Sequence, residues 1–570
     1  ERVWNGRLIL NEGRMRDLRL LGLDADEPGS IMQKGQQVLI KQRRPRNYDA
    51  FELTISAPKT AKLRMELLPV GAVQAKTIEV PIEELISGFR SEQLDENQNR
   101  LVVRRAPGDF VRLRFQRDHL VFAPEEAFML DVEPHELVVS PRSNVRCAMR
   151  LCEARTGEVV WEENRVLNAD AFGKIPTWER CIIPIPDREG VYDLQISLAN
   201  RRQLAPLAGD KTLAKRNLQF VVVDKKSPIE LEGQARSLVL DLDPTQKNWW
   251  QRLTRLPQWT LIPGLRSEGP LGNHKANRIT EGGRTWTQIT PAGWQAYPLP
   301  IDEVGQPHEL EIDFPGDREQ TFVVSVIEPN AAGKVTPVGL DSGIHVSPQD
   351  VTHVAVQPEA VQQHRLVFWP KTTSPLVLVT NLRQEQPAVF GNLRVYRQGS
   401  MPDVTPARAG SRRAFAYFER PYFPECFGAS EFRDPETGRS LEDWVTFYEG
   451  GRRMIRHLKQ NGYTGVVLTC FSEGSTLYPS PLLQPTPKHD RGVFFASGQD
   501  ALRKDVLEML FRLCDREGIQ LVPALEFSTP LPSLEKRRLQ SAEVMAGVDL
   551  VDEDDMLWVN RNGSDRGRAP

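Results

Sequence analysis

The segment "GYTGVVLTCFSEGSTLYPS", residues 462 to 480, decides how the carboxyl-terminal part of the chain is read. An apolar run, Val466-Val467-Leu468, ends abruptly at Thr469-Cys470-Phe471-Ser472-Glu473-Gly474. Apolar β-branched residues followed by a turn signal predict a buried strand. Upstream lies "LEDWVTFYEGGRRMIRHLKQNG", whose Trp444, Phe447, Tyr448, Met454, Ile455 and Leu458 share one helical face. Downstream, Leu502, Val506, Met509, Leu510 and Leu513 recur at helical spacing, and Gly518 is placed to end that helix. "IQLVPALEF" then predicts another strand, and "RAFAYFERPYF" predicts one before the first helix. Strand, helix, strand, helix, strand implies right-handed βαβ units and a parallel sheet.

Parallel sheets gather ligands beyond the carboxyl ends of their strands. The residues expected there are Glu419, Arg420, Tyr422, Phe423 and Glu425 after the first strand, and Thr469, Ser472, Glu473 and Tyr478 after the second. Glu526, Ser528 and Thr529 follow the third, and "MLWVNRNG" later offers Trp558 and Asn560. Carboxylates and aromatics at one rim suit a sugar: pyranose faces stack on rings, and hydroxyls need fixed acceptors. Glu526 closes an apolar run, where a charge needs a partner or a task. Glu473 and Glu526 are the catalytic candidates. Glu419, Tyr422, Glu425, Ser472, Tyr478, Trp558 and Asn560 are the candidates for holding substrate.

The rest of the chain has a different grammar. Segments such as "QQVLIKQ", "KLRMELLPV", "VRCAMRLCEA", "VYDLQISLA" and "LQFVVVD" alternate apolar and polar residues, the pattern of strands with one face on a core. "VPIEELISGFRSE" predicts a short helix among them. The expected organisation is a β-rich domain over 1–120, an immunoglobulin-like sandwich over 121–225, a jelly-roll-like sandwich over 228–400, and three βα units over 412–570. Linkers are read at "DKKSPIELEG" and "RQGSMPDVTPARAGSRR". Trp249, Trp250, Trp259, Trp286, Trp294 and Trp369 concentrate in the third region. Most are expected in its core, with Trp249-Trp250 the better sugar platform.

Composition narrows the function. With 570 residues, the chain exceeds a single core. Its 73 basic and 76 acidic residues give no global basic field, so nucleic acid is not an expected partner. No window reaches the roughly 18–20 apolar residues of a membrane helix. The six cysteines, Cys147, Cys152, Cys181, Cys426, Cys470 and Cys514, lack Cys-x-x-Cys spacing. One disulfide among the first three is compatible with the pattern. Nucleotide-binding, zincin and serine-hydrolase signatures are absent from the sequence, and no metal or cofactor is expected. His457 and His489 are read as structural or solvated.

The segment "GYTGVVLTCFSEGSTLYPSP", with the following helix and "REGIQLVPALEF", resembles the opening of the (β/α)-barrel of the glycosyl-hydrolase-like family ten. The resemblance is carried by Gly474, Leu477, Tyr478, Ser480 and Glu517-Gly518-Ile519, with "WVNRNG" similar to the segment before that family's fourth strand. It covers about residues 412–570. Thr469 and Phe471 stand where family members often carry Gln and Arg, and Glu526 stands where Asn is common. The resemblance implies a TIM-type barrel, a polysaccharide or cell-wall glycan as partner, and a secreted, periplasmic or cell-surface location. It also implies hydrolysis of O-glycosyl bonds by paired carboxylates. Three strands fall short of a full barrel, which takes about 250 residues. The expectation is therefore a longer parent protein, with Glu473 and Glu526 as sugar ligands rather than the acid and nucleophile. The alternative is a non-catalytic glycan-binding or cell-surface scaffold protein with a degenerate barrel.

Overall fold

The computed structural model describes residues 2–20, 31–42, 50–137, 139–200, 211–226, 236–245, 271–273, 276–329, 335–338, 343–346, 361–398, 413–433, 440–441, 443–472, 475–480, 484–485, 504–526, 550–552, 555–559 and 565–568. Glu473, Asn560, Gly474, Trp249, Trp250, Trp259, His489, Ser528 and Thr529 lie outside them.

The described residues up to 104 build antiparallel sheets. The larger runs in the order 31–34, 37–41, 4–10, 62–69, 76–81. Period-two alternation explains it: in Lys62–Pro69, Leu63, Met65 and Leu67 are buried and join the core of Leu8, Val38, Ile40, Ile78 and Val80. The expected short helix follows at Ile82–Ser87.

A second sandwich packs a three-stranded sheet (111–114, 127–134, 178–184) on a five-stranded one (121–122, 211–222, 190–200, 144–153, 159–168). Strand Val111–Arg114 pairs with Ala127–Pro134 across the division expected at residue 120. That pairing assigns it to this sandwich, because Val111 and Val132 bury their side chains in the same core. Phe122 meets Phe128 and Phe220 with ring centroids 5.1 Å apart in each case. The Tyr192 hydroxyl donates to the Arg188 carbonyl at 2.7 Å, the kind of tether that fixes a tyrosine corner in immunoglobulin-like sandwiches. All six cysteines are free thiols. Burial pushes the Cys147 and Cys181 thiols up to about 12, so both act as small core hydrophobes.

The third sandwich sets the sheet 237–242, 393–397, 308–315, 361–368 against a larger one that includes 294–298, 376–381 and 320–329. Their inner faces supply Leu310, Ile312, Phe322, Val324, Val377, Val379 and Val395. Trp286 is buried and Trp294 half-buried, whereas buried Trp369 joins the core of the last region instead of this one.

The last region is different. Strands β1 (Phe415–Phe418), β2 (Gly465–Ser472) and β5 (Gln520–Leu525) form a parallel sheet in sequential order, β2 in the middle. Helix α1 (Phe423–Cys426) and helix α2 (Trp444–Gln460) lie between β1 and β2, and helix α3 (Val506–Glu517) precedes β5. Two short strands, β3 (Ser475–Thr476) and β4 (Gln484–Pro485), extend the sheet after β2. Asp443 caps α2 by accepting from the Val445 and Thr446 amides. Asp505 caps α3 through the Glu508 amide. Gly518 ends α3 at φ +68°, a conformation open to glycine without Cβ strain. One core joins the helix faces (Phe447, Met454, Leu458, Met509, Leu513) to Val466, Leu468 and Cys470 of β2.

Candidate functional site: the carboxyl rim of the parallel sheet

The two faces of β2 have different neighbours. Val466, Leu468 and Cys470 pack on the helix layer, as do Ala416 and Phe418 of β1. Alternation therefore puts Tyr417, Val467 and Val522 on the opposite face, where the register pairs Tyr417 with Val467 and Val467 with Val522. Tyr417 is 67 % exposed there.

A bulge then decides what reaches the rim. Thr469 pairs with Ala524, but the next partner of Leu525 is Phe471, so Cys470 is an inserted residue. A one-residue slip moves side chains to the other face. Without the bulge, Phe471 would stand beside Glu526 and Ser472 would turn toward the helices. With it, the Ser472 hydroxyl donates to the Glu526 carboxylate, and the Glu526 amide donates to the Phe471 carbonyl at 2.9 Å. The Cys470 thiol donates to the Ala524 carbonyl at 3.3 Å and ties the bulge to β5. Ser472 and Thr469 are buried, and Glu526 is half-buried.

The residues after β2 fold back on it. β3 runs antiparallel to the end of β2, pairing Phe471 with Thr476 and Ser472 with Ser475. Leu477 is buried; its amide donates to the Cys470 carbonyl at 2.9 Å. Its own carbonyl accepts from the Val506 amide at 2.9 Å. That contact receives one of the orphan donors at the start of α3. The Leu-Tyr pair is thus part of the scaffold: Leu477 fills the helix-side core, and half-buried Tyr478 packs beside it, its phenol shifted up by burial.

The remaining sequence candidates divide. Glu419 is exposed directly after β1. Tyr422 and Glu425 belong to the α1 turn, which Phe423 anchors against Phe447 of α2 with centroids 6.1 Å apart. The Glu425 carboxylate oxygens are shielded from solvent, so this residue is not presented at an open rim. Trp558 lies on an antiparallel hairpin, where it pairs with Leu550, rather than on the parallel sheet. Ser472 and Glu526 are therefore the pair that the fold brings together. Tyr417 was missed by the sequence reading. Its signal was alternation within "RAFAYFER", where one aromatic had to face away from the helices.

The unit is also fastened to both neighbouring sandwiches. Gln219 of the second sandwich donates to Asp443 at 3.0 Å and accepts from the Trp444 amide at 2.6 Å. Glu189 receives the Tyr448 hydroxyl and the Arg516 guanidinium. On the other side, Trp369 of the third sandwich packs edge-on against Phe427 at 4.7 Å and against His457 at 5.5 Å. Burial lowers the His457 pKa, because desolvation disfavours the charged ring.

No protein-family model and no curated protein matches this sequence. Similar solved structures include a xylan-binding domain from Paenibacillus barcinonensis, at 10% identity, 30% of this chain and 99% of that one, TM-score 0.20. A carbohydrate-binding module of a laminarinase from Zobellia galactanivorans aligns at 13% identity over 22% of this chain and 90% of its own, TM-score 0.16. An exo-β-1,3-galactanase from Phanerochaete chrysosporium aligns at 7% identity over 68% of this chain and 82% of its own, TM-score 0.18. Scores this low assign neither a common fold nor an activity to this chain.

Proposed function

We propose that this chain is a glycan-handling protein, with three β modules (about 1–110, 111–225 and 228–400) that position a parallel unit beginning near residue 412. In this reading the parallel unit is the opening of a TIM-type barrel, and the third module is a jelly-roll carbohydrate-binding domain. The observation that carries the proposal is the Ser472–Glu526 pair at the carboxyl ends of adjacent parallel strands. It supplies a fixed acceptor on the face where Tyr417 offers an exposed ring. Sequential strand order is what a barrel needs, whereas doubly wound sheets reverse direction at a switch point. Stacking and fixed acceptors are the two demands of a pyranose. A secreted or cell-surface setting suits such a partner, and no helix among the described residues is long and apolar enough to cross a membrane.

Hydrolysis would need two carboxyl groups about 5–9.5 Å apart around the scissile bond. Glu526, receiving a hydroxyl proton from Ser472, has the geometry of an acceptor for a sugar hydroxyl. That favours binding over bond cleavage as the task of this pair, with hydrolysis the second reading. The full-length chain is titrated against a broad panel of soluble polysaccharides, and reducing ends are assayed in parallel. Retention by one glycan class, weakened at least tenfold in Glu526→Gln and Tyr417→Ala, is the expected result. Equal retention by both variants would remove the pair from the site. Release of reducing ends lost in Glu526→Gln would establish the hydrolase reading.

A further inference from the structure

A polar cluster is buried where the α/β unit meets the second sandwich. Gln219, 6 % exposed on strand Lys211–Val222, donates through Nε2 to Asp193 Oδ1 at 3.0 Å and to Asp443 Oδ2 at 3.0 Å. Its Oε1 accepts from the Trp444 amide. One amide side chain thus bridges carboxylates from two modules. Asp193 sits on strand Gly190–Asn200, opposite Gln219 on one side and Cys152 on the other. Asn217 hydrogen-bonds to it, and Glu153 adds a repulsive charge. The Glu153 carboxylate is itself held by the Arg155 and Thr156 amides at 3.1 and 2.6 Å. From the α/β unit comes Lys504, 3 % exposed, attracted to Asp443 and 5.5 Å from the Phe447 ring.

Charge counting then matters. Buried Asp443 and half-buried Asp193 face one buried ammonium and two neutral amides. Ionising both acids would leave a net negative charge out of water, a costly state. Asp443 has the stronger claim to its charge: Oδ1 accepts from the Val445 and Thr446 amides at 3.0 and 3.3 Å, Oδ2 accepts from Gln219, and the α2 amino terminus favours an anion. Asp193 is left as the acid.

We infer that the Asp193–Gln219–Asp443 cluster holds one proton when the α/β unit is seated on the second sandwich, so that seating is proton-linked. Burial, followed by the Asp443 charge among the raising influences, pushes Asp193 up to about 7. Burial also raises Asp443, opposed by Gln219, Lys504 and the capping amides. The sign follows from linkage. The seated form binds the proton more tightly than a separated form with an ordinary aspartate. Seating is therefore strongest below the ordinary aspartate range and weakens as pH rises toward about 7. One proton shifted over this range changes the seating equilibrium roughly 100-fold between pH 5 and pH 8.

The test uses the full chain. Hydrogen exchange at the Trp444, Val445 and Thr446 amides, corrected for intrinsic rates, is followed from pH 5 to 8.5. Protection is expected to fall roughly 100-fold in wild type and to be flat in Asp193→Asn, the neutral isostere. A flat wild-type profile, or the same slope in the variant, overturns the inference. If Asp193→Asn does not fold, infrared spectra of wild type labelled with carbon-13 aspartate decide it. A protonated aspartic acid band at pH 6 that disappears by pH 8.5 is expected, and its absence at pH 6 overturns the inference.

Discussion

The α/β unit is held by two sandwiches in two chemical styles. Toward the second sandwich the contact is polar: Gln219 with Asp443, Glu189 with Tyr448 and Arg516, and Arg155 with Glu449 at 2.7 Å, around an apolar strip of Val121, Val191, Val221 and Val223. Toward the third it is aromatic: Trp369, Phe427 and His457, sealed by a Lys371–Glu431 ion pair at 2.9 Å. Glu328 stiffens that side by accepting from the Lys371 and Thr372 amides at 3.0 and 2.9 Å. Directionality comes from the polar side. Hydrogen-bonded groups fix one register and penalise all others, because a misplaced buried donor or acceptor stays unsatisfied. Packed rings contribute more burial and tolerate small slips.

Four substitutions test the two contacts, with buried Cys514 of α3 as the probe. Its labelling by a thiol reagent across a urea gradient reports opening of the α/β unit itself. The largest effect is expected for Trp369→Ala, about 4 kcal/mol, because it removes the aromatic contact and leaves a cavity. Gln219→Leu comes next at about 3 kcal/mol, since two carboxylates and the Trp444 amide lose their shared partner. An effect of Gln219→Leu below about 1 kcal/mol would mean that the polar face contributes little beyond shape. Gly428→Ala is expected to cost about 2 kcal/mol. Gly428 has φ +57°, and a Cβ there would lie 2.1 Å from the Trp369 carbonyl oxygen. Arg155→Ala is the smallest, within about 1 kcal/mol, because that arginine is largely exposed and its pair is screened by solvent. Should Arg155→Ala match Gln219→Leu, the distinction between buried and exposed polar contacts would fail here.

Much of the parallel unit was legible in the sequence. Helical spacing in "DWVTFYEGGRRMIRHL" and "DVLEMLFRLCDREG" located α2 and α3, and Gly518 was marked as a terminator for the reason the structure shows. The rim pair was half legible. Glu526 stood out as a charge ending an apolar run, but Ser472 and Glu526 meet only because Cys470 is inserted. Period-two reading of β2 gives no hint of that insertion. Bulges depend on the partner strand, and no partner strand is written in the residues of β2. Glu425 and Trp558 looked equivalent to Ser472 as polar or aromatic residues near strand ends. Their placement followed from what Phe423 and Leu550 pack or pair against.

Local periods, the Gly518 helix stop and the change from antiparallel to alternating α/β grammar near residue 412 could be read from the residues alone. Those features depend on side chains a few residues apart. Tertiary structure alone decided that Val111–Arg114 joins the second sandwich, that Ser472 faces Glu526, and that Asp193 and Asp443 converge on one glutamine. Each of these rests on groups from distant segments whose desolvation must be balanced together. That balance exists only once the segments are brought side by side.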